Sequence, residues 1–363
     1  MFRFLLQVHY YSLVITMHKF NSIEQFRNVI RNVRENSSYH GKPIPTITFE
    51  GTVKLHGTNA GVRVYADRVQ AQSRERLISI ADDNAGFAQF AAKNEDTFAI
   101  LVGYIATVEN TYPDIDGRYT IFGEWCGGNI QSKVGLNKLD KHFVIFNVYD
   151  HVLEKYISRA WMDRAISHRE IPGQMLSILN DAKIHLIKEI PSHTITIDFT
   201  QPEQYIEELE RLTLAVEESC PWTVYRGAEG IGEGIVWVKA DDIGDNRYWF
   251  KTKGVKHQGK DQSKVKTLNV DPVKTAKMRE LVDVLTPEWR LEQGVTYLRE
   301  NGYTLDQKAT GQYLQWVMKD ILKEEQDTIA ANDFAWKELT GAITTKARDF
   351  YFRALNEVAI NGL

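Results

Sequence analysis

The sequence predicts an α+β fold in two parts: a mixed antiparallel-sheet domain, then an all-helical C-terminal domain. Three observations predict it. Dense runs of β-branched and aromatic residues recur between 45 and 150 and again between 234 and 254, with helical patterns between them. From 272 onward apolar residues fall only at helical spacing, with no convincing strand. The 363 residues also exceed one ordinary domain, at about 150 residues each. With 43% hydrophobic, 11% aromatic and 25% charged residues the chain can bury a real core, which excludes disorder as its main state. A net charge of −4 excludes a uniformly basic nucleic-acid coat, so any polyanion site must be a local patch.

The elements follow in chain order. Residues 18–38 carry Phe20, Ile23, Phe26, Val29, Ile30 and Val33 at helical spacing, ending before a Gly-Lys-Pro turn at 41–43. The stretch 46–65 reads as strand, tight turn at Gly57–Thr58–Asn59, strand, and 69–80 as a further strand. Residues 84–106 read as helix, then 118–125 and 143–150 as two dense strands. Most of 157–218 reads as helix, including a face with Glu203, Glu207, Glu208, Glu210, Glu217 and Glu218 around Ile206, Leu209, Leu212 and Val216, expected to be solvated. A glycine-rich turn at 227–234 leads into a strand, and 247–254 forms another. The tail carries Met278, Leu281, Leu285, Tyr313, Leu314, Val317, Ile321, Leu339, Ile343 and Phe350 on helical faces, and Tyr303, Tyr313 and Trp316 are expected in its core.

The first 16 residues are apolar but interrupted by His9, Tyr10, Tyr11 and Ser12, with no small-residue cleavage site, which disfavours a signal peptide and leaves Met17 as a candidate start. No run reaches the roughly 18 apolar residues of a membrane-spanning helix. Two cysteines, Cys126 and Cys220, can neither staple such a chain nor complete a four-ligand zinc site, so both are expected as inert buried thiols in a reducing, cytoplasmic setting.

Chemistry concentrates at Lys54-Leu55-His56-Gly57-Thr58-Asn59. A lysine amine becomes a usable nucleophile when burial or a neighbouring cation depresses its pKa, and a glycine beside it lets backbone approach a ligand closely. Between 251 and 280, eight lysines and one arginine face Asp261, Asp271 and Glu280, a net of +6 suited to a polyanion. Other patterns fail. Gly254 to Lys260 matches most of a phosphate-binding loop, but Asp261 stands where a hydroxyl should meet Mg²⁺. Gly230, Gly232 and Gly234 lead into a strand and not out of one, unlike a dinucleotide fingerprint. The ten histidines show no zinc spacing.

The hexad resembles the first motif of the covalent nucleotidyltransferases, the superfamily of DNA ligases, RNA ligases and mRNA capping enzymes, and five further blocks follow in that superfamily's order. QSRER at 72–76 resembles the block with a ribose- or phosphate-contacting arginine, here Arg74 with Arg76 as the alternative. FGEW supplies Glu124, FVIFNVYD supplies Phe146 as the aromatic that stacks on adenine, GEGIVWV supplies Glu233, and FKTKG supplies Lys251 and Lys253. His56, Asn59 and the helical tail together resemble the RNA ligase 2 family of the bacteriophage T4 type, since DNA ligases and capping enzymes usually continue into an OB-fold. Two positions depart from the pattern: Asn147 where aspartate commonly follows the phenylalanine, and Val53 where an acid often precedes the lysine.

The resemblance implies a nucleotidyltransferase domain of ATP-grasp-like ligase type at 17–262, a helical domain at 263–363, and residues 1–16 as an upstream extension. It implies an ATP-dependent RNA ligase that joins 5′-phosphate and 3′-OH ends: Lys54 takes AMP from ATP, AMP passes to the RNA 5′-phosphate, and the 3′-OH displaces it, with His56 serving the second step. Lys251 and Lys253 would meet charge developing on the phosphates. Glu124 and Glu233 would hold Mg²⁺, or Mn²⁺ in its place. Asn59 and Arg74 would donate to sugar or phosphate. The expected partners are RNA ends or nicked duplex RNA, with no membrane, no protein partner and a monomeric state. A DNA ligase, a non-catalytic nucleic-acid-binding module and a protein AMP-transferase stay open as alternatives.

Overall fold

The computed structural model describes residues 17–361, apart from 114, 129, 132–133, 169–173, 255–273 and 333. It is an α+β fold with an N-terminal sheet domain and a C-terminal helical region. Among the described residues, eleven strands lie in two sheets. The first, sheet A, has the order β1 (Glu24–Gln25), β11 (Phe250–Lys253), β10 (Gly234–Lys239), β2 (Thr46–Lys54), β9 (His193–Asp198). All of its pairs are antiparallel except β1 with β11. Sheet B has the order β4 (Val69–Ser73), β3 (Thr58–Val64), β5 (Tyr119–Cys126), β6 (His142–Asp150), β7 (Lys155–Tyr156), with β8 (Ile184–Leu186) parallel to β6.

Strand alternation gives each sheet two chemically different faces. On sheet A, Phe49, Val53, Ile235, Trp237 and Phe250 are buried on one face, which α1 (Phe26–Tyr39) and α6 (Ile206–Glu218) cover with Val29, Val33, Leu209 and Val216. The opposite face carries Glu50, Thr52 and Lys54. On sheet B, Trp125 and Phe143 pack against Phe87 of α2 (Phe87–Lys93), and Phe143 also meets Phe98 of α3 (Glu95–Val108). A smaller cluster of Phe20, Phe122, Tyr156, Val238, Ile243 and Trp249 draws from both sheets and closes the inner end of the space between them.

The short helices α4 (Ala160–Ser167), α5 (Met175–Asp181) and α7 (Pro221–Tyr225) join these layers. Helices α8 (Lys274–Leu285), α9 (Glu288–Glu300), α10 (Thr310–Glu324), α11 (Gln326–Ala331) and α12 (Trp336–Asn361) share an apolar cluster of their own, including Leu281, Leu298, Tyr313, Val317, Ile343 and Tyr351. Among the described residues of this region there is no strand, and Tyr313 is fully buried while Tyr303 is exposed.

Several sequence expectations need correction. The first helix begins at Phe26, not 18, because residues 24–25 are extended in β1 and Phe20 turns inward onto Trp249. The strand expected over 69–80 ends at Ser73, where the chain reverses so that Leu77 bridges back to Gln72. The helical reading of 157–218 missed β8 and β9; the alternation in His193–Asp198 is the edge strand beside β2. The 247–254 strand starts only at Phe250, after a short 3-10 turn at Asn246–Tyr248. Glu217 is buried and so leaves the solvated acidic face. The domain boundary at 262/263, the 1–16 extension, most of the basic segment and most of the 254–261 loop lie outside the described residues.

The largest correction concerns the hexad. The sequence suggested a hairpin turning at 57–59, but β2 and β3 belong to different sheets, and Thr58 and Asn59 already lie in β3. Leu55, His56 and Gly57 alone carry the chain from one sheet to the other.

Candidate active site

This crossing explains why one short motif furnishes both walls of a cleft. Lys54 is the last residue of β2, and Asn59 is the second of β3. In sheet A, Gly234 stands directly between Lys54 on one side and Lys253 on the other, and Val236 stands between Thr52 and Lys251. All these residues share one face. Gly234 has φ +152° and a Cβ there would collide with the Thr252 carbonyl, so the gap between the two lysines carries no side chain.

Glu233 fills the end of that gap. Its Oε2 accepts from Lys54 Nζ at 2.6 Å and lies 3.0 Å from His56 Nδ1, while its Oε1 is 3.3 Å from Lys253 Nζ. Burial opposes its ionisation, but Lys54, His56 and Lys253 together hold the carboxyl well below the usual carboxylate range. Lys253 is itself pushed down to about 8, chiefly by burial, with Lys54 and Lys251 acting in the same direction and Glu233 against it. Its ammonium also lies 4.7 Å from the centroid of the Trp289 ring of α9.

Sheet B supplies the facing wall. Asn59 and Glu124 are directly paired across β3 and β5. Glu124 Oε1 accepts from the Gly57 backbone N–H at 2.9 Å, and a Cβ at 57 would strike the Trp125 carbonyl, which accounts for the glycine. Burial pushes the Glu124 carboxyl up to about 8; Lys54 and the Gly57 N–H oppose this, and Glu233 and Glu300 add to it. Asn59 Oδ1 is buried without a hydrogen-bond partner among the described residues, an atom that a ligand donor would satisfy. Farther in, β6 carries a bulge: Phe122 pairs with Asn147 and Gly123 with Ile145, so Phe146 has no residue opposite. Its ring lies 5.0 Å from that of Phe20.

The structure therefore brings Lys54, His56, Glu233 and Lys253 into direct contact, with Glu124 held against Gly57 and with Lys251 and Asn59 on the adjoining rows. Arg74 lies just beyond β4, about half exposed, 3.6 Å from Glu75, whereas Arg76 is held by Asp82 at 2.6 Å. Of the two departures, Val53 packs in the core behind the sheet and Asn147 is buried.

Sequence reasoning missed the contribution of the helical region. Glu300 of α9 accepts from Thr58 Oγ1 at 2.6 Å, and its backbone carbonyl accepts from Ser73 Oγ at 3.0 Å. Gln131 donates to the Gly57 carbonyl at 3.2 Å and to Thr296 of α9 at 3.3 Å. Glu324 of α10 accepts from Gln25 and feels the charge of Lys251 and Lys253. No local pattern separates Glu300 or Glu324 from ordinary surface glutamates of an amphipathic helix.

A family model described as RNA ligase matches residues 47–253, more than half of the chain. The chain belongs to the RNA ligase family. Every motif residue named above, from Lys54 to Lys253, falls inside the matched span. Similar solved structures include a Naegleria gruberi RNA ligase mutant with AMP and Mn, at 20% identity, 66% of this chain, 56% of that chain and a TM-score of 0.40. The Naegleria gruberi RNA ligase with PPi follows at 19% identity, 66% and 56% coverage and a TM-score of 0.41. The chain thus spans little more than half the length of the solved proteins that it matches. No curated protein matches it.

The donor chemistry fits a hard divalent cation. Glu124 is a partly buried carboxyl group whose one hydrogen-bond donor among the described residues is a backbone N–H, and oxygen ligands of this kind suit Mg²⁺ or Mn²⁺. Glu233 fits less well, because its two oxygens already serve two ammonium groups and an imidazole. Among the described residues no group of three or more His, Cys, Asp or Glu forms a metal cage. Both cysteines are free and buried, and no helix among the described residues is long and apolar enough to cross a membrane.

Proposed function

We propose that this chain is an ATP-dependent RNA ligase of the RNA ligase 2 type, acting through a lysyl-AMP intermediate on Lys54. One observation carries the reading: Lys54 and Lys253 flank a side-chain-free glycine and are joined by one buried carboxylate, Glu233, within hydrogen-bond reach of Lys54 Nζ. That arrangement orients an amine and leaves a cation-lined slot for phosphate beside it.

In the first step Lys54 Nζ, as the free amine, attacks the α-phosphorus of ATP; an N–P bond forms and the bond to pyrophosphate breaks. Lys253 and Lys251 lie where pyrophosphate charge develops. Glu233 fixes the amine and balances the lysines. Phe146 offers its ring to adenine, and Asn59 and Arg74 offer polar groups to sugar or phosphate. A divalent cation held by Glu124 would add charge stabilisation at the phosphates. In the second step an oxygen of an RNA 5′-phosphate attacks the same phosphorus, the N–P bond breaks and Lys54 is restored, with His56 beside it. The 3′-OH then attacks the RNA 5′-phosphorus and AMP leaves. The same reading divides the chain at 262/263 and has the helical region and the basic segment 251–280 hold RNA ends or a nicked duplex.

Denaturing electrophoresis after incubation with α-radiolabelled ATP and Mg²⁺ tests it. Wild type should carry a label that Lys54→Ala abolishes, and pyrophosphate should remove it. Nicked RNA and nicked DNA duplexes, offered in parallel, identify the acceptor. A folded wild-type protein that stays unlabelled with Mg²⁺ or Mn²⁺ overturns the reading in favour of a non-catalytic nucleic-acid-binding module.

A further inference from the structure

Arg159 is the N-terminal flanking residue of α4, remote in sequence from every motif, yet its guanidinium is 6% exposed and lies between the two sheets. Each of its three nitrogens has a partner. Nε donates to the Phe146 carbonyl at 2.9 Å, Nη2 to Asn147 Oδ1 at 3.2 Å, and Nη1 to Glu50 Oε2 at 3.2 Å. Phe146 and Asn147 form the bulge of sheet B; Glu50 lies on β2 of sheet A, on the same face as Lys54 and four residues before it.

A bulge leaves backbone groups outside the ladder, and a buried carbonyl there needs another donor. The planar guanidinium meets that need and fixes the following side chain as well. Its charge is balanced by Glu50, whose other oxygen accepts from Lys188 at 2.9 Å and from Ser192 at 3.1 Å, and Lys188 in turn pairs with Asp163 at 2.9 Å. Asn147 is neutral, so the guanidinium is bonded to one carboxylate and the cluster carries two cations against two anions. An aspartate at 147 would add a third anion to a buried network.

We propose that Arg159 is a positioning residue that sets the Phe146 ring at its bulge and locks it to the strand that carries Lys54, and so governs how tightly the adenine of ATP is held. The inference rests on the assignment of Phe146 as the adenine platform. Glu50 keeps Lys188 and Ser192 when Arg159 is replaced, so Arg159→Met leaves no unpaired buried anion.

Isothermal calorimetry with ATP on wild type, Phe146→Leu, Arg159→Met, Asn147→Ala and the Phe146→Leu/Arg159→Met double variant tests this without depending on catalysis. Phe146→Leu and Arg159→Met should each weaken ATP binding about tenfold, the scale of one base–aromatic stack. Asn147→Ala, which removes one of the three contacts, should weaken it about threefold. Because Arg159 acts through Phe146, the double variant should bind no more weakly than Phe146→Leu alone. Arg159→Lys, which keeps the charge but not the fork, should recover only part of the loss. Losses that multiply in the double variant, or a folded Arg159→Met with wild-type affinity, overturn the proposal. If Arg159→Met does not fold, Asn147→Ala decides, and unchanged affinity there overturns it. Unchanged affinity in Phe146→Leu refutes the platform and the clamp together, whereas absence of covalent labelling with these affinity changes intact refutes only the ligase chemistry.

Discussion

The two walls of the cleft are built from similar strands but present opposite chemistry. Sheet A offers Lys54, Lys251 and Lys253 in adjoining rows, with Glu233 tying two of them together. Sheet B offers Asn59, Glu124 and, past its bulge, Phe146. The cations are therefore held on one wall, while the polar, acidic and aromatic groups are held on the other. Catalysis by differential binding needs both walls in register, which places a premium on whatever joins them.

The largest expected effect tests the cationic wall. Lys54→Arg keeps the charge but removes the amine proposed as nucleophile, and labelling by ATP should fall by at least about a thousandfold while ATP binding measured by calorimetry survives. Retained labelling would place the nucleophile elsewhere. Gly234→Ala attacks the same wall through its backbone: at φ +152°, with the Thr252 carbonyl in the way, the methyl should cost about 3 kcal/mol in a urea titration. A wild-type midpoint would mean that the lysine row tolerates a spacer.

The third effect belongs to sheet B and to acid. His142 opens β6; its Nε2 accepts from Trp222 Nε1 at 3.0 Å and its Nδ1 donates to the Asp140 carbonyl at 2.7 Å, which fixes the neutral ring. Burial lowers its pKa to about 4. Below the ordinary value near 6.5 the unfolded chain gains a proton that the folded one refuses, so this contribution is complete above pH 6.5 and lost as pH falls towards 4. The loss should reach about 3 kcal/mol, seen as a falling melting temperature that His142→Gln flattens. A melting temperature that is constant from pH 6.5 to 4 would remove His142 as the acid-sensitive anchor of this wall. Smallest is Thr58→Val, which deletes the bond to Glu300 and should cost about 1 kcal/mol. A loss of labelling far beyond that change in stability would give the helical region a direct part in shaping the site.

Much of this was legible in the sequence because it is local. Tyr119–Cys126, His142–Asp150 and Gly234–Lys239 announce themselves by β-branched and aromatic density, and the ordered blocks named Lys54, His56, Glu233 and Lys253, which the structure brings into contact, while Arg74 stays half exposed beside Glu75. What escaped was set by long-range pairing. The alternation of His193–Asp198 is visible, but only its pairing with β2 makes it a sheet edge. The hexad looks like a hairpin because nothing in six residues says that its strands find different partners. Arg159 has no motif around it, and its meaning comes from a bulge that exists only once β5 and β6 are in register.

That three residues alone separate the sheets also limits how the cleft can move. Four residue steps from Lys54 to Thr58 span at most about 14 Å when fully stretched. The Lys54 end is thus a spine, like the binding of a book, and Arg159 and the Phe20 cluster stitch the two covers together farther in. The spine fixes how far the Lys54 amine can stray from Asn59 and Glu124 on the other cover.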